Sequence, residues 1–297
     1  MGDPAGAIAF VGLGMMGLPM ATRIMEAGFA MRGADLSAAA RANFSQRGGM
    51  AFDTPRQAAE GVSILIAMLP NGAIVRDALL GGGDAAAALR AGALIVDMSS
   101  SAPLETRRLA EQLSALDIGL IDAPVSGGVR RAEDGTLAIM AGGDSIHIAR
   151  VRPILDAMGK DIILTGPVGS GHAVKALNNY VSAAGLQAAC EAAIIAEEFG
   201  VDPGVLVDVL NVSTGRNNST EVKMKPFILS RTFASGFSMA LMAKDLRTAA
   251  DLAEKLGLSA TGARDAAALW SEASAALGTS ADHTEIYRHL AAMRGNQ

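Results

Sequence analysis

A single cysteine, Cys190, among 297 residues leaves no intrachain disulfide to staple the fold and fits a reducing compartment. Lying between Ala189 and Glu191 in a helical run, it reads as a small buried side chain. Histidine is nearly as scarce. His147, His172, His283 and His289 show no metal-ligand spacing with each other or with Cys190, so no metal is expected. Basic residues do not exceed acidic ones: 25 against 30, a net charge of −5, which gives no basic stripe and argues against a nucleic-acid partner. No uninterrupted apolar run reaches the roughly 18 residues that a transmembrane helix needs. The apolar stretch from Ala7 to Met20 is broken by Gly12, Gly14 and Gly17 and lacks the basic leader of a secretory signal. No membrane association is expected, and the chain reads as a soluble cytoplasmic protein. Aromatics make up only 4%, while half the residues are hydrophobic and 34 are glycine, a composition suited to close packing of helices on helices and on sheets. The length allows two domains of ordinary size.

The first half alternates short apolar runs with helical patterns. Strands are expected at 8–11, 31–35, 62–68, 94–97, 119–122, 137–141 and 161–164, with helices at 15–27, 37–46, 54–60, 73–79, 104–115 and 145–158. Ser37, Thr54 and Asp144 or Ser145 are plausible helix caps. Strands apolar throughout and separated by helices indicate a parallel sheet covered on both faces. The turn-rich segment Gly166-Pro167-Val168-Gly169-Ser170-Gly171 then ends this pattern. A continuous helical pattern follows from His172 to Phe199, and further helices are expected at 203–210, 223–230, 239–256 and 260–277. The expected architecture is α/β, an N-terminal Rossmann-type doubly wound parallel sheet over residues 1–165, then an all-helical domain over 166–297.

Ile8-Ala9-Phe10-Val11 runs into Gly12-Leu13-Gly14-Met15-Met16-Gly17, after which a helix begins. In a G-x-G-x-x-G loop one glycine makes a tight turn, one lets the backbone approach a pyrophosphate, and one lets helix pack on strand. The helix start then offers N–H groups to the phosphates. The loop alone is a weak signal. Placed after the first strand and followed by Asp35, 23 positions beyond Gly12, it becomes a strong one. A carboxylate there accepts from the ribose hydroxyls and repels a 2′-phosphate, so NAD is expected as cofactor ahead of NADP. The competing role for Asp35 is a cap on the next helix. Two more strand ends face the same cleft by the rule for parallel sheets: Leu69 and Pro70 to cover adenine or ribose, and Ser100 to reach the nicotinamide side.

In Gly171-His172-Ala173-Val174-Lys175-Ala176-Leu177-Asn178-Asn179, Lys175, Asn178 and Asn179 stand at helical spacing among apolar neighbours. A lysine on an apolar helix face is costly to desolvate unless it lines a cleft or has a partner. It then serves as a proton donor or acceptor, with an amide to orient it. The alternative is an apolar stem with its head in solvent.

Four segments spanning nearly the whole length resemble the β-hydroxyacid dehydrogenase family, 3-hydroxyisobutyrate dehydrogenases among them. They are Phe10 to Met20, Asp122-Ala123-Pro124-Val125-Ser126-Gly127-Gly128, Gly171 to Asn179, and Lys244-Asp245-Leu246. The resemblance implies that Lys175 is the catalytic acid and base and that Asn179 positions lysine and substrate. It also implies that Ser126 with the backbone of Gly127 and Gly128 holds a substrate carboxylate, and that Lys244 lies near the nicotinamide ribose. For Lys244 the alternative is a surface ion pair with Asp245. The implied reaction interconverts a small 3-hydroxy acid with its semialdehyde or keto acid, hydride passing to NAD. The polar segment Asn211 to Thr220, with Arg216 for a second anionic group, is expected near the substrate's far end, favouring a 3-hydroxyisobutyrate- or threonate-like acid. The alternative is a solvated loop whose asparagines cap helices. An NADPH-dependent semialdehyde reductase (glyoxylate, succinic or tartronate), an imine reductase and a non-enzymatic nucleotide-binding protein are the competing functions. Asp35 and Lys175 speak against the imine reductase, Asp35 against the NADPH enzyme, and Lys175 with Ser126 against lost chemistry. The family resemblance also implies a homodimer or homotetramer.

Overall fold

Alternate residues of the first strand, β1 (Ile8–Val11), enter two different cores: Ile8 and Phe10 one, Ala9 and Val11 the other. The same split holds for β4 (Ile64–Ala67) and β5 (Leu94–Asp97), so this sheet is apolar on both faces and covered on both. In this computed structural model, which describes residues 6–293, the chain divides into two compact units, Met1–Lys175 and Ala176–Gln297.

The first unit adds β2 (Met31–Ala34), β3 (Met50–Phe52), β6 (Gly119–Asp122), β7 (Val125–Ser126), β8 (Leu137–Gly142) and β9 (Gly159–Gly166). Strand order is β3-β2-β1-β4-β5-β6-β8-β7, with β9 pairing β8. From β3 to β6 every pairing is parallel, and the order reverses direction between β1 and β4, the switch point at which doubly wound sheets bind ligands. Beyond β6 the sheet is mixed: β8 runs antiparallel to both β6 and β7. The connection from β6 is taken up by β7 and a short helix, so the chain never returns to the amino end of the sheet, as a parallel crossover requires.

Helices α1 (Gly17–Glu26), α2 (Ala38–Gln46), α3 (Pro55–Ala59), α4 (Gly72–Leu80), α5 (Pro103–Ser114), α6 (Gly128–Glu133) and α7 (Ser145–Met158) complete the unit. Ser37 caps α2, Thr54 builds a capping box with Gln57 on α3, and Asp144 caps α7, as the sequence leads one to expect. Not foreseen were β3, β7 and α6. They span two to six residues, too short for a period to show.

The helix α8 (Ser170–Phe199) begins in the first unit and continues into the second. The second unit holds α9 (Pro203–Val212), α10 (Asn218–Val222), a six-residue π-helical turn at Met224–Leu229, α11 (Met239–Lys255), α12 (Thr261–Leu277) and α13 (Ile286–Ala292). Its core gathers around Trp270, Tyr287, Leu186 and Met239. Among the described residues no helix is long and apolar enough to cross a membrane.

Candidate active site

The three glycines after β1 do three different things. Gly12 has φ +98°, and a Cβ there would stand 2.2 Å from the carbonyl oxygen of Met68, so the turn packs on the end of β4. Gly17 opens α1 with its Cβ position 1.9 Å from the carbonyl oxygen of Gly12, the close helix-on-strand packing. Between them Gly14 is exposed, and nothing lies within 4 Å of its Cβ position. Met15 is exposed as well, Met16 half-buried, and no side chain caps the start of α1. An open approach over a glycine, next to an uncapped helix start, fits the pyrophosphate of a dinucleotide.

Asp35 follows β2 and stands against this loop. One carboxylate oxygen accepts the N–H of Leu13 at 2.7 Å and the other that of Ser37 at 2.7 Å, while the helix cap is supplied by Ser37. Arg32 is engaged elsewhere: its guanidinium donates to the carbonyls of Gln57 and Ala58 and covers the Phe52 ring at 4.4 Å. Leu69, just past β4, lies 3.0 Å from the Cβ position of Gly12, and its N–H donates to Ser99 Oγ at 2.9 Å. Pro70 is exposed and Ser100 half-buried. The structure thus brings Gly12, Leu13, Asp35 and Leu69 together at the carboxyl ends of β1, β2 and β4.

Further along the same edge, β5 and β6 end in buried carboxylates. Asp97 accepts from the N–H of Ser99 and the hydroxyl of Ser101, both at 3.0 Å. Asp122 accepts from the N–H of Gly169 at 2.6 Å and of His172 at 2.8 Å. Burial pushes the Asp122 carboxyl above the usual carboxylate range, against the pull of His172 and of those two N–H groups. Ser126 belongs to β7, paired with Ala138 of β8, and is half-buried. Gly127 and Gly128 follow at φ 140° and 70°, conformations that favour glycine, and both are exposed at the start of α6.

In the first turns of α8 two polar side chains are buried while apolar neighbours are exposed. Lys175 and Asn179 are 9% and 6% exposed, while the apolar Val174, Leu177 and Val181 are 39%, 46% and 67% exposed. Asn178 does not share their burial: it is exposed and donates to Asn179 Oδ1 at 3.2 Å. In the second unit Asn179 donates to Asp245 Oδ2 at 2.6 Å, and Lys244 Nζ lies 3.2 Å from Asp245 Oδ1. Asp245 thereby fixes which way the Asn179 amide points. Arg216 is exposed and pairs with Glu221 at 3.6 Å, and Asn217 caps α10 in a capping box with Thr220. Asn211 reaches across to the Thr220 carbonyl at 3.1 Å.

Sequence reasoning assigned no role to Asp122, Asp245 or Asp97 and little to His172. The signal for Asp97 and Asp122 was their place at strand ends, where a carboxylate is out of keeping with the apolar run before it. Asp245 was visible only as the neighbour of Lys244.

Two family descriptions cover most of the chain. Residues 7–166 match the NAD binding domain of 6-phosphogluconate dehydrogenase, and residues 169–290 match the NAD-binding domain of NADP-dependent 3-hydroxyisobutyrate dehydrogenase. The chain is 38% identical over 239 residues to 2-(hydroxymethyl)glutarate dehydrogenase of Eubacterium barkeri, covering 80% of this chain and 79% of that one. It is 34% identical over 290 residues to 2-hydroxy-3-oxopropionate reductase of Escherichia coli, covering 98% and 99%. The solved structure of Mycobacterium tuberculosis 3-hydroxyisobutyrate dehydrogenase with L-serine superposes with a TM-score of 0.89 at 33% identity, covering 96% and 99%.

Proposed function

The chain belongs to the β-hydroxyacid dehydrogenase family of NAD(P)-dependent oxidoreductases, and from that premise we propose that it oxidises a small 3-hydroxy acid, 3-hydroxyisobutyrate- or threonate-like, to its semialdehyde or keto acid and catalyses the reverse reduction. NAD, when bound along Gly12 to Gly17 with its ribose at Asp35, supplies the hydride acceptor. Lys175 takes the hydroxyl proton in oxidation and returns it in reduction. Asn179, its amide oriented by Asp245, fixes the lysine and the substrate hydroxyl. Ser126 and the backbone at Gly127 and Gly128 receive the substrate carboxylate. Lys244 serves the nicotinamide ribose, and Leu69, Pro70 and Ser100 line the rest of the cofactor's path. Arg216 takes a second anionic or hydroxylated group.

The observation that carries this reading is the burial of Lys175 and Asn179 on the inward face of α8, beside Ala176 and Ala183, while Leu177 and Val181 of the same turns are exposed. Desolvating a lysine and an amide while exposing Leu177 and Val181 runs against the stability of the helix, and a proton-transfer role accounts for it. We place the enzyme in the cytoplasm on its single cysteine. A homodimer or homotetramer is the assembly proposed, because Val181, Ile195, Phe199, Val205, Val209 and Val212 on and after α8 are exposed.

The test is a screen of 3-hydroxy acids and semialdehydes with NAD(H) and NADP(H), ranked by kcat/KM. Turnover of a 3-hydroxy acid with NAD preferred supports the reading. Stronger stabilisation by NADPH than by NADH in a thermal shift would remove the role given to Asp35, and light scattering showing only monomer would remove the assembly.

A further inference from the structure

The first turn of α8 is gripped from outside its own segment. The Asp122 carboxylate arrives from the end of β6 and takes the N–H groups of Gly169 and His172, one on each oxygen, at 2.6 and 2.8 Å. A negative charge at this end of a 30-residue helix complements its dipole. The His172 side chain is a second anchor. Its Nε2 lies 3.1 Å from the Ser99 carbonyl, which can only accept, so Nε2 carries a hydrogen; its Nδ1 meets Thr106 Oγ1 of α5 at 2.8 Å. Asp97 and Asp122 each lie 3.8 Å from the ring, and His172 is 1% exposed. The fit leaves no slack. A Cβ on Gly171 would stand 2.3 Å from the Met140 carbonyl oxygen and 2.9 Å from Asp122 Oδ2, and one on Gly142 would stand 2.6 Å from Ser170 Oγ.

We propose that Asp122 and His172 are positioning residues for proton transfer: together they fix the rotation and height of the first turn of α8, and so where the Lys175 ammonium stands. The proposal rests on the reading of Lys175 as the proton-transfer residue. His172 and Lys175 are three residues apart and so neighbours on one helix face. Side-chain tips lie about 5–6 Å from a helix axis. A rotation of roughly 10° therefore moves the ammonium by about 1 Å, and a misplacement of that size costs about a hundredfold in rate. The same Asp122 ends β6, from which the chain passes through Pro124 to Ser126, so one carboxylate ties the start of the lysine's helix to the start of the segment given to the substrate carboxylate. Burial disfavours the charge on Asp122. The two N–H groups and His172 work against that cost, so the carboxyl's geometry at the start of α8 is what the role rests on.

Asp122→Asn keeps the shape and one acceptor but turns an amide NH₂ toward one of the two N–H groups. Thr106→Val keeps the shape and removes the partner of His172 Nδ1, together with the hydroxyl's bond to the Ala102 carbonyl within α5 at 3.1 Å. Each is compared with the wild-type chain using NAD and whichever of 3-hydroxyisobutyrate and threonate is oxidised faster, with NADH affinity by fluorescence, melting temperature, and hydrogen exchange of the amides at 172–176. The expected result is a fall in kcat of about thirty- to a hundredfold for Asp122→Asn and about three- to tenfold for Thr106→Val. KM for the acid and the NADH Kd stay within about threefold, and exchange rises in the first turn of α8 alone. Full kcat in both variants would overturn the proposal, as would a kcat loss matched by equal losses in NADH affinity and melting temperature. If Asp122→Asn does not fold, Thr106→Val decides alone, and if neither acid is oxidised, unchanged exchange at 172–176 in the variants overturns it. A Lys175→Ala control separates the two claims: normal turnover there removes the reading of Lys175 itself, whatever the other variants do.

Discussion

In the first unit two carboxylates of the site, Asp35 and Asp122, are held by backbone. Asp35 takes the N–H groups of Leu13 and Ser37, and Asp122 those of Gly169 and His172. In the second unit three groups of the site are held by other side chains: Asn179 by Asp245, Lys244 with Asp245, Arg216 with Glu221. Backbone partners are set by the sheet and its loops whatever residues surround them, whereas side-chain partners change with each substitution. On the proposed reading the first unit carries what the reaction needs in any substrate, a dinucleotide cradle and the lysine at the start of α8. The second carries, on the same reading, Asn179 and Lys244, which serve the reaction and the cofactor, and the polar segment from Asn211 to Thr220, whose groups can be exchanged to set substrate identity.

The sharpest way to break this contrast is at Asp35. Asp35→Ala removes an acceptor that grips the glycine loop, and the NADH Kd rises about ten- to a hundredfold, the equivalent of one charged hydrogen bond at about 1.5–3 kcal/mol. Urea unfolding followed by the fluorescence of Trp270, the single tryptophan of the chain and fully buried in the second unit, keeps its midpoint in this variant. Unchanged NADH affinity would mean that the carboxylate only serves the loop.

Asp282 tests the other unit. It accepts from Gly236, Phe237 and Thr284 backbone N–H groups and from Ser235, tying the loop before α11 to the segment at 282–285. Burial works to raise its pKa, but hydrogen bonds from His283, Thr284 and Ser235 outweigh it and hold the carboxyl well below the usual carboxylate range. A lowered folded-state pKa means that the stabilisation is present at neutral pH and is lost as pH falls through and below the ordinary carboxylate range. Asp282→Ala accordingly costs about 1–2 kcal/mol at neutral pH, lowering the Trp270 midpoint, and flattens the acid limb of the stability profile. NADH affinity unchanged beside that loss would show that the two units answer separately. An unchanged midpoint would contradict the assignment.

The smallest effect is expected at Arg216. Its ion pair with Glu221 is exposed and worth about 0–1 kcal/mol, so Arg216→Ala leaves the Trp270 midpoint alone. KM for a 3-hydroxy acid bearing a second polar group rises about three- to tenfold, and KM for NAD does not move. Equal changes for acids with and without that group would take substrate identity away from this loop.

The same contrast explains how much could be read in advance. Gly12, Gly14, Gly17 and Asp35 were legible because turn, approach and packing each dictate a residue type at a fixed spacing. The strands at 8–11, 64–67 and 94–97 were legible because burial on both faces leaves a nearly unbroken apolar run, whereas β3 at 50–52 was too short to show. The antiparallel turn of the sheet at β8 was not legible, since Leu137 to Ala141 is equally apolar in either direction. Lys175 and Asn179 were visible as polar residues at helical spacing, but Asn178 has the same chemistry and is exposed. Spacings of three and four do not distinguish which amide faces inward, and only the packing of α8 does. Asp122 was hidden for a different reason: its partners at 169 and 172 are backbone groups nearly fifty residues away, which carry no side-chain signature.

The account turns on Lys175, and the most direct measurement is turnover of the Lys175→Ala variant beside its NADH affinity. A loss of kcat of about a thousandfold or more, with NADH bound within about twofold of wild type, is the predicted result. Near-normal turnover with the same binding would contradict it.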